Sequence, residues 1–281
     1  MKNTLFIFLI LIGFASQAQI KTPQASPAAS VSTTVGLTDV KIDYSRPRAK
    51  GRKIFGDGES FLIPFGKIWR TGANNGTVIS FADDVTVEGT KVPAGKYLIF
   101  SWPSASEWTI TLYKDLELGG NTGKYDASKE VANFKVKSEK LAEKIETLTF
   151  NISDLSDDNK SAKVQLAWEN TSVKFSFSVD FDAKVMKSIE ANTTVNPNNY
   201  FQAAVYYLDN GKEVKQAKEW IDKAVDNNSA FYMLYQKARI YKAVGDKAGA
   251  LVISQKSLEE SKKAGNRDYV KMNEELIASL K

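Results

Sequence analysis

The sequence predicts an α+β multidomain protein, in which an antiparallel β-sandwich or barrel is followed by a short all-α domain of helical repeats. Residues 31–182 contain short runs of alternating apolar and polar residues, separated by glycine, proline and serine. The apolar period changes from two to three or four at residue 183. In the C-terminal part, residues of matching type recur 34 positions apart, which is typical of helical repeats.

The composition is that of a folded protein that lacks the commonest catalytic side chains. Hydrophobic residues make up 43% of the 281 residues and charged residues 25%, so we expect disorder only at the ends. The chain contains no histidine and no cysteine. This excludes Ser-His-Asp and Cys-His catalysis, zinc sites built on those residues, and disulfide bonds. Neither a cofactor nor a metal ion is predicted, and no glycine-rich nucleotide motif occurs.

The first 18 residues are predicted to form a secretory signal peptide. Lys2 supplies the positive start, residues 5–14 the apolar run, and residues 16–18 a cleavage site with small side chains at its first and last positions. The alternative is a membrane anchor, but the apolar run is too short to span a bilayer comfortably. We therefore expect cleavage after Ala18 and a periplasmic or secreted protein without a membrane span. The formal net charge of +5 does not predict nucleic-acid binding in an exported protein.

The predicted elements follow one another in short succession. Residues 19–30 are small, polar and contain proline, so they are predicted to form a flexible N-terminal segment. The clearest strands are residues 78–81, 85–87, 96–102 and 107–113. Further predictions are a loop at 118–129, strands at 131–136 and 145–152, and a hairpin of 162–168 and 173–181 around a turn at 169–171.

The C-terminal domain, residues 183–281, is predicted to contain two degenerate repeats. Ala204, Tyr207 and Gly211 recur 34 residues later as Ala238, Tyr241 and Gly245. A helix-turn-helix unit of this period resembles a tetratricopeptide repeat. A final helix at residues 266–280 would close the array, as repeat arrays require. The alternative is an ordinary helical bundle.

The arginines are concentrated in one region, which makes it the candidate site. Only six of the 38 basic residues are arginines, and four of these lie between positions 46 and 70. A guanidinium makes planar, two-pronged contacts to carboxylate or phosphate, which an ammonium cannot. Loops at the ends of a sandwich also commonly carry binding residues. The predicted binding residues, for a small anionic or carbohydrate ligand, are Arg46, Lys50, Arg52, Trp69, Arg70 and Asn74.

The alternative is that the same residues hold the fold together. Arg70 would then pair with a buried acid such as Asp43, Trp69 would plug the end of the barrel, and Gly72 would supply a positive φ. The acidic clusters of the chain are predicted to be solvated turns, because none completes a calcium-loop pattern. The tryptophans in predicted strands, Trp102, Trp108 and Trp168, are expected to pack in the core.

Four stretches resemble an exported family from Bacteroidota that is catalogued as domain of unknown function 2911. They are DYSRPRAKGRKIFG (43–56), PFGKIWRTGANNGT (64–77), KVPAGKYLIF (91–100) and EWTITLYKD (107–115). WRTGAN is the most specific of these motifs. The resemblance covers residues 1–181, is weakest at 116–160, and implies export to the periplasm, a mostly β domain and no established activity. A helical tail resembling tetratricopeptide repeats accompanies some members.

Three functional hypotheses follow from the sequence. The first is a non-catalytic binding or scaffold protein, which uses the surface of residues 46–77 for its ligand and the helices for a partner protein. The second is a carbohydrate-active hydrolase or lyase that works with carboxylates, lysine or tyrosine, although no catalytic residue can be named. The third is a purely structural role for the motif. Two carboxylates roughly 5–9 Å apart in one cleft near Trp69 would favour hydrolysis, and a cleft of arginines, asparagine and aromatic rings would favour binding.

Overall fold

The computed structural model describes residues 22–193 and 199–281 of the chain. They belong to two compact units, of which the first ends at Asp180 and the second spans Phe181–Lys281. Each unit has a hydrophobic core of its own. The predicted signal peptide and residues 19–21 lie outside the described residues.

The first unit is an antiparallel β structure. Its strands are β1 (Ala28–Val35), β2 (Thr38–Ser45), β3 (Phe55–Gly56), β4 (Ile63–Pro64), β5 (Thr77–Phe81), β6 (Val85–Val87), β7 (Thr90–Val92), β8 (Gly95–Trp102), β9 (Glu107–Tyr113), β10 (Glu130–Ser153) and β11 (Ser161–Val179). Three single 3-10 turns span Leu116–Leu118, Thr122–Lys124 and Ala127–Lys129. The four clearest predicted strands correspond to β5, β6, β8 and β9, each within one residue of its predicted ends.

The main sheet closes on itself. Nine strands pair in the order β1-β2-β5-β8-β9-β10-β11-β6-β7, and all of these pairs are antiparallel. The chain just after β2 returns to β10, where Ala49 N donates to Glu146 O at 2.7 Å and Leu148 N donates to Pro47 O at 3.0 Å. This pairing links β2 to β10 and completes a ring. β3 and β4 form a separate, two-residue parallel pair.

The predicted hairpin at residues 162–181 is wrong, because β11 continues through the predicted turn. Glu169 adopts a φ of 55°, and the pairing with β10 changes register at this point. The buried positions move from even to odd numbers across it, from Val164 and Leu166 to Phe175 and Phe177. These are the features of a β-bulge, which bends a strand without ending it.

Two other strands are longer than the sequence predicts. β10 is one strand of 24 residues, whereas two separate strands were expected. Its first part pairs with β9 and its second part with β11, and the polar residues between break the apolar alternation. β1 begins at Ala28, within the segment predicted to be flexible, because it pairs along its whole length with β2.

The second unit consists of helices. They are α1 (Asp182–Thr193), α2 (Tyr200–Asp209), α3 (Val214–Ala224), α4 (Phe231–Ala243), α5 (Lys247–Lys263) and α6 (Arg267–Ala278). The predicted fold class, an antiparallel β domain followed by helices, is therefore confirmed. Within the described residues, no helix is both long and apolar enough to cross a membrane.

The recurring residues of the helical unit occupy equivalent positions. Ala204 on α2 and Ala238 on α4 are fully buried. Gly211 and Gly245 adopt φ values of 62° and 87° in the turns that follow these helices, a conformation that glycine allows at low cost. The helices are compatible with tetratricopeptide repeats, and that assignment stays a prediction.

A larger side chain at a buried position of α5 tests how tightly the helices pack. Ala250 and Ala248 both lie on α5, but Ala250 is fully buried and Ala248 is exposed. We expect Ala250→Leu to destabilise the helical unit by about 1–3 kcal/mol, because extra methylene groups force a packed core apart. Ala248→Leu should leave the stability nearly unchanged. Urea denaturation of both variants, followed by circular dichroism, measures the difference, and equal stabilities would contradict close packing of α5.

Candidate functional site

A cleft of about 560 Å³ opens on the first unit, between the loop after β2 and the loop before β5. The two loops meet because β2 and β5 are neighbouring strands. Four basic side chains line the cleft, namely Arg48, Lys50, Arg52 and Arg70. Its apolar lining comes mainly from Leu62, Ile63, Trp69 and Trp168. We call it the cationic cleft, and its volume is typical of sites for small molecules.

The floor of the cationic cleft is part of a buried aromatic cluster. Trp69 and Trp168 stack at 6.0 Å between ring centroids, with 23° between their planes. Phe55 packs edge-on against both rings, at 5.5 and 6.0 Å, and Trp108 packs edge-on against Phe55 at 4.8 Å. Trp69 is 8% exposed and Trp168 is 1% exposed. The floor is therefore apolar and offers a ligand little of either indole face.

Hydrogen bonds hold both tryptophans of the floor in place. Trp69 N donates to Ser101 O at 2.7 Å, and Ser101 N donates to Trp69 O at 2.9 Å. The indole Nε1 of Trp69 donates to Gly72 O at 3.1 Å, and that of Trp168 donates to Glu146 O at 3.3 Å. Because both indole N–H groups are engaged, the polar contacts of a ligand must come from the rim.

The loop before β5 is held in a strained conformation beside the cleft. Thr71 has a φ of 52°, which a β-branched residue rarely adopts, and it is 1% exposed. Its hydroxyl lies 2.9 Å from the hydroxyl of Ser101, and the hydroxyl of Thr77 donates to Thr71 O at 2.6 Å. Such strain persists only where the surroundings enforce it, and it is common at binding sites.

Gly72 and Asn74 fix the same loop in different ways. Gly72 does not have the positive φ that the structural alternative predicted. It is needed for close packing, since a Cβ atom there would lie 2.8 Å from Thr77 Oγ1. Asn74 does have a positive φ, of 56°, and its side-chain amide donates to Ser45 Oγ at 3.1 Å and Ser26 O at 3.3 Å.

Arg46 lies outside the lining of the cationic cleft. Its Nε donates to Leu148 O at 3.1 Å, and its Nη2 donates to Thr149 Oγ1 at 3.0 Å. The guanidinium thus ties the end of β2 to β10, at the place where the ring of strands closes. Among the predicted binding residues, Arg46 has the contacts of a structural residue.

Arg52 lines the cleft and also donates hydrogen bonds to the backbone of its own loop. Its Nε donates to Ala49 O at 3.0 Å, and its Nη2 donates to Arg48 O at 2.6 Å. These bonds fix the backbone that carries Arg48. The side chain of Arg48 is exposed and makes no hydrogen bond or ion pair within residues 22–193 and 199–281. Its whole two-pronged donor edge is therefore open to a ligand.

Arg70 does not pair with Asp43, so that part of the structural alternative is wrong. Asp43 pairs instead with Lys41, at 2.9 Å. Arg70 Nη1 donates to Asn74 O at 3.0 Å, and this is its only hydrogen bond to the described residues. Its Nε and Nη2 remain available as a second donor edge.

The positive charges of the cationic cleft are not neutralised by the part of the chain that the structure describes. No carboxylate oxygen there lies within 4.0 Å of the charged groups of Arg48, Lys50, Arg52 or Arg70. None of the described residues that line the cleft is acidic. Glu146 approaches this region, but its Oε1 accepts the backbone N–H of Lys50, at 2.7 Å. Four cations around one apolar floor give the cleft a positive potential that attracts anions.

The structure brings five of the six predicted binding residues to one cleft, and only Arg46 lies elsewhere. The sequence interpretation missed Arg48 as a lining residue, although it lies among the concentrated arginines. It also missed Ile63 and Trp168, which reach the floor through β4 and β11. Only long-range packing places these two, so no local pattern marks them.

Comparison with known families identifies the first unit. The family model described as "Protein of unknown function (DUF2911)" matches residues 26–177. This region is more than half of the chain and includes every lining residue of the cationic cleft except Ala25. The chain belongs to this family. The predicted resemblance is thereby confirmed, and the helical unit lies beyond the matched region. No curated protein and no solved structure matches the chain.

Proposed function

We propose that the protein is a non-catalytic binding protein, and that its cationic cleft holds a small organic anion. The observation that carries the proposal is the set of four basic side chains around one cleft without a carboxylate partner among the described residues. Arg48 and Arg70 supply two-pronged donor edges for a carboxylate or phosphate group. Lys50 and Arg52 add positive charge, and the apolar floor accepts the body of the ligand.

The lining of the cleft favours binding over hydrolysis. A glycosidase needs two carboxyl groups on either side of the bond that it cleaves. Within the described residues, no carboxylate lines the cationic cleft, and no three acidic residues come close enough together to hold a metal ion. The groups that remain at the rim donate hydrogen bonds and charge.

The unpaired cations also favour binding over a purely structural role for the motif. Trp69 does pack in an aromatic cluster, as that alternative predicts, and Arg46 also has structural contacts. Arg48 and Lys50 are exposed, and their charged groups have no partner in residues 22–193 and 199–281. Like charges that line one cleft without a counter-ion repel one another, and a bound anion would offset this repulsion.

Two further parts of the proposal rest on the sequence. The predicted signal peptide would place the binding site in the periplasm or outside the cell. The predicted resemblance of the helices to tetratricopeptide repeats would give the second unit a role in contacts with a partner protein. Both stay predictions.

A thermal-shift experiment with charged and uncharged pairs tests the binding proposal. The probes are benzoate against benzamide, and D-glucuronate against D-glucuronamide. A ligand at ten times its Kd stabilises the native state by about 1.4 kcal/mol, which raises the melting temperature by about 3–6 °C. We expect this rise for the acids and not for the amides, and we expect it to shrink at high ionic strength because salt screens exposed charges.

The matched control removes a charge outside the cleft. Arg48→Gln should abolish the shift, whereas Lys67→Gln, at an exposed lysine that does not line the cleft, should keep it. Equal shifts for acids and amides, or no shift with any acid, would overturn the proposal.

A further inference from the structure

A second pocket lies on the other side of Arg70. It has a volume of about 650 Å³ and is bounded by the loop before β5 and by residues 116–122. Asn75, Asn121 and Thr122 line it, together with the backbone of Gly119 and Gly120. We call it the asparagine pocket. Among the described residues that line it, Arg70 is the only basic one and Glu117 the only acidic one, so its chemistry differs from that of the cationic cleft.

Arg70 and Asn74 form a wall that the two pockets share. Both residues line both pockets, and the bond from Arg70 Nη1 to Asn74 O joins them. Gly120 packs against this wall so closely that a Cβ atom would lie 2.4 Å from Asn74 O and 2.8 Å from Arg70 Cδ. Arg70 therefore borders both pockets, and its Nε and Nη2 make no hydrogen bond to the described residues.

The outer wall of the asparagine pocket is anchored at both ends. Asp115 forms an ion pair with Lys129, and this ammonium lowers the pKa of Asp115, so the pair stays charged at neutral pH. The hydroxyl of Tyr125 donates to Glu130 Oε1 at 2.6 Å. The ion pair joins the two ends of this segment, and the ring of Tyr125 packs against Phe100 and Tyr113 of the sheet, at 5.2 and 5.0 Å between centroids. The wall of the pocket is therefore formed before any ligand binds.

The free polar groups of the asparagine pocket suit a neutral, hydroxylated ligand group. The side chains of Asn75, Asn121 and Thr122 form no hydrogen bond with the described residues, and none of them carries a charge. An amide offers both donors and acceptors, and a hydroxyl offers both as well. Sugar hydroxyls need this mixture, whereas the basic side chains of the cationic cleft offer donors and positive charge.

We propose that the two pockets are subsites of one site for an acidic saccharide. A negatively charged sugar residue occupies the cationic cleft, and a neutral sugar residue occupies the asparagine pocket. Arg70 contacts both sugars where they are linked. This inference rests on the proposed function and extends it, since it specifies the class of anion and adds a second set of contacts.

The test compares an acidic disaccharide with its parts. The probes are disaccharides of D-glucuronate and D-glucose in both linkage orders, D-glucuronate alone and the neutral disaccharide cellobiose. Isothermal titration calorimetry of the full protein should give at least a tenfold tighter Kd for one acidic disaccharide than for D-glucuronate. Cellobiose should bind more weakly than both D-glucuronate and this acidic disaccharide.

Variants on each side of Arg70 separate the subsites. Asn121→Ala should remove the gain from the second sugar and leave the Kd of D-glucuronate within about twofold, because it removes hydrogen bonds in one pocket only. Arg48→Gln should weaken both acids. Asn151→Ala, at an exposed asparagine of β10 outside both pockets, is the matched control and should change neither.

The outcomes distinguish this inference from the proposed function. If neither disaccharide binds more tightly than D-glucuronate, or Asn121→Ala weakens both acids equally, the subsite inference is overturned and the anion site stands. If D-glucuronate, benzoate and the disaccharides all fail to bind, both are overturned.

Discussion

Replacing Trp69 by alanine is expected to lower the free energy of unfolding of the β unit by about 3–5 kcal/mol, the cost of removing a large buried aromatic ring. Trp69 is 8% exposed and contacts Phe55, Trp108 and Trp168. Its removal leaves a cavity in the centre of this cluster and breaks the bond from Nε1 to Gly72 O. Urea denaturation followed by far-ultraviolet circular dichroism measures the loss without depending on tryptophan fluorescence.

A second tryptophan of the same unit provides the control for this experiment. Trp102 is only half-buried and packs edge-on against Tyr125 at 5.3 Å. Trp102→Ala should therefore cost less than Trp69→Ala. Equal losses, or a loss below about 1 kcal/mol for Trp69→Ala, would mean that the aromatic cluster is not the support of the cleft floor.

The second large effect concerns two arginines, of which Arg70 is expected to contribute to binding and Arg46 to stability. Arg70→Ala should weaken binding of D-glucuronate by about 10–100-fold, because hydrogen bonds to charged groups contribute about 1.5–3 kcal/mol. It should change the stability by about 1 kcal/mol or less, since its one bond to the described residues goes to Asn74 O. Calorimetric titration and urea denaturation of the same samples measure the two quantities.

Arg46→Ala should behave in the opposite way. The variant leaves the carbonyl of Leu148 without its donor at the closure of the ring of strands, so we expect a loss of about 1–3 kcal/mol of stability. Binding of D-glucuronate to the folded variant should stay within about twofold of the unaltered protein. A weakened affinity in Arg46→Ala, or an unchanged one in Arg70→Ala, would mean that the cationic cleft is not the site.

The location of the cationic cleft was predictable because arginine is rare in this sequence. Lysine meets the need for charge almost everywhere else, so four arginines between residues 46 and 70 indicate geometry as well as charge. Their individual roles were not predictable. Arg46 and Arg48 are two residues apart, yet one bonds to β10, more than 100 positions away in the sequence, and the other is open to ligand. Their roles differ because of contacts that form only when the sheet closes.

The same distinction applies to the fold. Short strands with alternating apolar and polar residues, such as β6 and β9, were predicted to the residue, because alternation is a local property. The bulge at Glu169 was mistaken for a turn, since Glu-Asn-Thr is typical turn sequence and pairing with β10 is what keeps the strand intact. The asparagine pocket was not foreseen, because Asn75 and Asn121 come together only through the packing of two loops.

The most direct test of the account uses the indole N–H resonances of the five tryptophans. Trp69 and Trp168 line the cationic cleft, whereas Trp102 does not line it and Trp220 lies in the helical unit. In a two-dimensional ¹H–¹⁵N nuclear magnetic resonance titration with D-glucuronate, we expect the Trp69 and Trp168 signals to shift and saturate together, and the Trp102 and Trp220 signals to stay in place. Shifts confined to Trp102 or Trp220, or no shift of Trp69 and Trp168 while calorimetry reports binding, would contradict an anion site in this cleft.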